Sequence, residues 1–130
     1  MTDQPHSKLT VPPGLRVLVV EDMWLVAEDL SLLLKELGCH VAGPAGRLEH
    51  GLRIAQEEAL DGALLDVNLG SDTSFPIAMA LQKRNIPFVF LTGYDDLTDA
   101  FSAELPEAPR LSKPVNPRDL IAAVAAFAPA

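Results

Sequence analysis

Several polar residues stand where apolar runs end: Glu21-Asp22 after RVLVV, Asp66 inside ALLDV, Thr92 after FVFL, and Lys113-Pro114 after residues 110–112. If those runs lie side by side, three carboxylates, a hydroxyl and an amine share one rim. Carboxylates so crowded repel one another unless a cation joins them. Oxygen donors without His or Cys suit Mg2+, which takes one or two carboxylates and keeps waters. A carboxylate beside Mg2+ and an ammonium can attack phosphorus and form an aspartyl phosphate. Cation and ammonium would then neutralise charge on the transferring group's equatorial oxygens. Each residue also has an ordinary explanation. Glu21-Asp22 would suit a helix N-terminus through the dipole, Thr92 is a common strand-end residue, and Lys113 could be solvated. Asp66 is hardest to explain that way, because a carboxylate inside an apolar run must lose its water and needs a partner or a task.

The elements that must position these residues alternate. Residues 1–14, with Pro5, Pro12, Pro13 and Gly14, carry no apolar period and read as a mobile N-terminal arm. From residue 15 to 128 the pattern is that of one domain. Residues 16–21 form a β-branched run, the mark of a strand buried on both faces. Residues 24–37 place Val26, Leu30, Leu33, Leu34 and Leu37 at helical spacing, with Gly38 as the stop. A short strand at 40–42 ends at Gly43-Pro44, and a helix over 48–60 turns Leu52, Ala55 and Ala59 inward. Strand three covers 63–67, a polar loop 68–74, a helix 76–84, strand four 88–91, a weak helix 96–105, and strand five 110–112. Asn116-Pro117 opens a last helix whose stripe is Leu120, Ile121, Val124 and Phe127. Five strands alternating with helices predict an α/β fold, a doubly wound parallel sheet reached by right-handed crossovers. In such a sheet ligands bind at the carboxyl ends of the strands, which is where the polar residues stand.

Composition narrows the function. A chain of 130 residues fits one domain of about 100–150 residues. The net charge of −8 disfavours nucleic acid and anionic membranes, whose phosphates require Lys and Arg. A lone Cys39 excludes a disulfide framework, and His6, His40 and His50 lack metal-ligand spacing. No apolar run reaches the roughly 20 residues of a membrane span. The expectation is a soluble, cytoplasmic, single-domain protein, with no linker to a further domain.

These residues resemble the receiver domain of bacterial two-component response regulators over residues 15–128. The resemblance implies a flavodoxin-like (βα)5 sheet of strand order 2-1-3-4-5. It makes Asp66 the phosphoacceptor, with Mg2+ held by Glu21, Asp22, Asp66 and the main-chain carbonyl of Asn68. Thr92 and Lys113 would bind phosphoryl oxygens, and Pro114 would follow a cis bond. PFVFLTGY at 87–94, DVNLG at 66–70 and SFPIA at 74–78 are similar to the FAT GUY receivers, often free-standing, although Leu91 replaces their usual Ala. The implied partners are a sensor histidine kinase as phosphodonor and a downstream target or phosphotransfer protein, in a phosphorelay, a regulator or a phosphate sink. The chain would be a switch with its own phosphorylation and dephosphorylation chemistry, not a metabolic enzyme. Two departures stand out: the 66–92 segment is short, and Arg110 replaces the usual strand-five Tyr or Phe. Readout is therefore expected through Gly93, Tyr94 and the loop to residue 99. Leu25 and Leu32, seven apart on the first helix and off its inward stripe, form an apolar strip for docking the kinase. Three other readings compete. A haloacid-dehalogenase-type phosphatase would need an acid where Asn68 stands, and a flavin or dinucleotide fold would need a Gly-rich turn at residues 21–23. An interaction module with a degenerate site would not need the full polar set.

Overall fold

The computed structural model describes residues 11–93 and 108–129. In chain order these form β1 (Arg16–Val20), α1 (Trp24–Glu36), β2 (His40–Ala45), α2 (Leu48–Glu57) and β3 (Gly62–Asp66). A small hairpin, β4 (Asn68–Leu69) and β5 (Asp72–Thr73), precedes α3 (Phe75–Lys83), β6 (Phe88–Thr92), β7 (Arg110–Ser112) and α4 (Pro117–Ala125). The main sheet has the order β2-β1-β3-β6-β7, and every neighbouring pair in it is parallel. With the hairpin counted apart, this is the expected 2-1-3-4-5 sheet.

Successive strand residues point to opposite faces, and the apolar runs feed two cores. Leu18, Val20, Leu65 and Phe90 meet Ile54, Ile77 and Leu81 of α2 and α3. Val17, Val19, Leu64 and Leu91 meet Leu30, Leu34, Leu120 and Val124 of α1 and α4. Burial on both faces is why β1, β3 and β6 read as continuous hydrophobic runs rather than alternating ones. Phe90 anchors the first core through edge-on contacts with Phe75 and Phe88, at centroid distances of 5.8 and 5.5 Å. The Asn116 side chain caps α4, accepting from the N–H groups of Arg118 and Asp119 at 2.8 and 3.4 Å.

Some local expectations change. Val11 is buried in the second core, and the Gly14 N–H donates to the Gly38 carbonyl at 2.8 Å. Residues 11–14 therefore belong to the domain, while residues 1–10 of the expected arm lie outside the described residues. Strand β2 continues through Gly43-Pro44 to Ala45, with a register shift between Leu18 and Val20 of its partner. A proline is tolerated there because β2 is an edge strand, where a missing N–H breaks no ladder. Helix α2 buries Gly51, Ile54 and Ala55, leaves Leu52 half-buried, and stops before the exposed Ala59. The polar loop at 68–74 contains the hairpin, and its Leu69 enters the first core. The helix expected at 96–105 lies outside the described residues.

Candidate functional site

Parallel strands bring their carboxyl ends to one rim, and β1, β3, β6 and β7 each deliver a polar residue to it. Glu21 and Asp66 are buried and Asp22 is exposed, yet one carboxylate oxygen from each lies within 4.8 Å of the others. Lys113 reaches in from the end of β7. Its Nζ stands 2.8 Å from Asp66 Oδ1 and 3.2 Å from Glu21 Oε1. The first acid is thus a structural partner of the lysine as well as a member of the acidic set. Its other oxygen, Oε2, accepts from the Met23 N–H at 3.2 Å. Asp22 Oδ2 accepts from the Gly70 N–H at 3.1 Å. Thr92 is buried, and its hydroxyl donates to the Leu111 carbonyl at 3.4 Å, a long and weak bond. The Lys113 N–H donates to the Thr92 carbonyl at 2.8 Å, tying the two site residues through the backbone. The Lys113-Pro114 bond is cis.

Charge at this rim does not balance. Burial pushes the Asp66 carboxyl up to about 7; the Lys113 hydrogen bond opposes the rise and the Glu21 charge adds to it. Burial alone would lower the Lys113 ammonium, but its hydrogen bond to Asp66 and the charges of Asp66 and Glu21 hold it above its ordinary value. Among the described residues, one ammonium faces three carboxyl groups. Oxygen-only donors in that charge state fit a hard divalent cation such as Mg2+. Glu21, Asp22 and Asp66 could hold it by their side chains, and Asn68, two residues past Asp66 on β4, by its carbonyl.

The remaining expected residues lie around the rim. Leu25 and Leu32 are 62% and 54% exposed on α1, in line with an outward strip. Met23 and Trp24, which follow Asp22 directly, are also exposed, at 61% and 70%. Beside the strip runs an open groove of about 570 Å3 between α1 and α4, lined by Val26, Leu30, Leu33, Pro114, Val115 and Leu120 among others. Gly93 is half-buried at the end of β6, Arg110 is exposed on β7, and Tyr94 lies outside the described residues. Gly70 was not foreseen as a site residue, although a glycine soon after Asp66 was the available signal.

Residues 17–125 match the family model described as the response regulator receiver domain. The Phyllosphere-induced regulator PhyR of Methylorubrum extorquens is 29% identical over 128 residues, covering 95% of this chain and 47% of that protein. The transcriptional regulatory protein PdtaR of Mycobacterium tuberculosis is 32% identical over 115 residues, covering 84% of this chain and 54% of that protein. The chain thus spans about half the length of these curated relatives. The solution structure of SdrG from Sphingomonas melonis Fr1 superimposes with a TM-score of 0.72 at 35% identity, covering 88% of this chain and 96% of that one.

Proposed function

The chain belongs to the response regulator receiver domain family, and from that premise we propose that it is a phosphorylation-controlled switch whose acceptor is Asp66. The observation that carries this reading is the Lys113 ammonium 2.8 Å from Asp66 Oδ1, with the Glu21 and Asp22 carboxylates close on the other side. An Asp66 oxygen attacks the phosphorus of the donor, a phosphohistidine of a sensor kinase. The new O–P bond forms as the N–P bond breaks, and the histidine nitrogen leaves with its electron pair. Lys113 then exchanges Asp66 Oδ1 for a phosphoryl oxygen while Glu21 keeps its ammonium in place. The Thr92 hydroxyl, whose bond to the Leu111 carbonyl is long and weak, turns to another phosphoryl oxygen. Glu21, Asp22, Asp66 and the Asn68 carbonyl would hold Mg2+, which when bound would supply neutralising charge to the phosphoryl oxygens. The apolar strip of Leu25 and Leu32 receives the kinase, and Gly93 and Tyr94 carry the state outward to a target or phosphotransfer protein in the cytoplasm.

The test uses acetyl phosphate as a small donor. Incorporation should require Mg2+ and vanish in Asp66→Asn, whose side chain keeps the shape without the nucleophile, while circular dichroism shows an intact fold. Acid-labile phosphate persisting on a folded Asp66→Asn protein would overturn the assignment.

A further inference from the structure

Glu21 and Asp66 are both fixed by Lys113, but Asp22 is exposed and is oriented from elsewhere in the chain. The Gly70 N–H donates to its Oδ2 across 48 residues of sequence. Gly70 occupies the turn of the β4–β5 hairpin, where the pairs Asn68↔Thr73 and Leu69↔Asp72 close the ladder. Leu69, one residue earlier, is buried in the first core and pins the hairpin to the sheet. Gly70 itself has φ +68, the left-handed region that L side chains resist. A Cβ built there would meet nothing within 4 Å, so the space is free and the dihedral is what asks for glycine.

We propose that Gly70 is a positioning residue of the cation site: its N–H, aimed by the left-handed turn, holds the Asp22 carboxylate so that the acids present their oxygens together. The inference rests on reading Glu21, Asp22 and Asp66 as Mg2+ ligands. A free carboxylate on a loop rotates, and a cation must stop that rotation on binding. A carboxylate already held by a backbone donor loses less freedom when it binds. The hairpin that carries Gly70 begins at Asn68, so one small element supplies both an orienting donor and the proposed carbonyl ligand.

The experiment is a Mg2+ titration of the whole chain, followed by the backbone amide shifts of Glu21 and Asp22, with a thermal melt of each variant. Gly70→Val places a β-branched residue where φ is positive and should weaken Mg2+ binding about tenfold, the size of the penalty for an L side chain in that turn. Gly70→Asn, which tolerates positive φ, should stay within about twofold of the parent. Should valine unfold the protein, Gly70→Ala gives a milder step in the same direction. In an Asp22→Ala background Gly70→Val should cause no further loss, because the carboxylate it orients is gone. Equal affinities for parent and Gly70→Val, or an undiminished tenfold loss in the Asp22→Ala background, would overturn the inference. If the parent chain shows no Mg2+-dependent shifts, the ligand reading itself falls, which is a different result from parent binding that ignores residue 70.

Discussion

At the scale of single residues, the central feature is a carboxylate held where its charge is unwelcome. Asp66 is pushed from its ordinary value of 3.8 to about 7, chiefly by burial. Between those values the folded chain without a cation holds a proton that the unfolded chain has released, so stability falls as pH rises through this window. Below about pH 4 both states are protonated and the penalty is absent; above about pH 7 it is complete. Asp66→Asn removes the charge and leaves Lys113 paired with Glu21. We expect that variant to be more stable than the parent by about 4 kcal/mol at pH 8 and nearly equal to it at pH 4. Urea unfolding of both proteins across that range, without Mg2+, measures the difference; a parent chain as stable as the variant at pH 8 would contradict it. The polar set was legible because each member interrupts or ends an apolar run. Its internal pairing was not. That Glu21 reaches Lys113 and that Gly70 holds Asp22 depend on contacts between residues about 50 to 90 positions apart, which local pattern does not encode.

At the scale of elements, α1 has an inward and an outward apolar face. Leu30 and Leu34 are buried while Leu25 and Leu32 face solvent among Glu28, Asp29 and Glu36. An exposed apolar strip in a charged surround suits a helical partner. Leu25→Lys and Leu32→Lys should each slow phosphotransfer from the cognate kinase by about tenfold, the effect of losing one interface anchor of about 1.4 kcal/mol. Labelling by acetyl phosphate should be unchanged. Radiolabel transfer kinetics with both donors distinguish the outcomes, and equal loss with both would point to a damaged fold instead of a docking face. Long, strongly patterned elements such as α1 were readable from the sequence because burial imposes a period on many residues. The β4–β5 hairpin was not, since strands of two residues are too short for any period. The inward face of α2 was legible in part: Ala55 is buried and Leu52 packs against the core, but Gly51, a residue without a side chain, occupies a buried position that an apolar-spacing search passes over.

At the scale of the whole molecule, the fold follows from alternation of strands and helices, and the sheet gathers at one rim the residues that the sequence spreads from 21 to 113. Under the proposed function, switching would carry an event at Asp66 outward from that rim. Arg110 is a poor inward-swinging group, since burying a guanidinium costs several kcal/mol unless it is paired. Thr92 is linked by hydrogen bonds to Leu111 and Lys113, and Gly93 follows it directly. Beryllofluoride, an unreactive phosphoryl mimic, should therefore shift the Thr92 and Gly93 amide resonances more than that of Arg110; the reverse order would place the readout on β7. The most direct measurement is chemical location of the phosphate itself. After labelling with acetyl phosphate and Mg2+, borohydride reduces an aspartyl phosphate to homoserine, and peptide mass mapping reads its position. Homoserine is expected at residue 66 alone, and none when Mg2+ is withheld; homoserine at Asp22 or any other acid, with Asp66 intact, would overturn Asp66 as the acceptor.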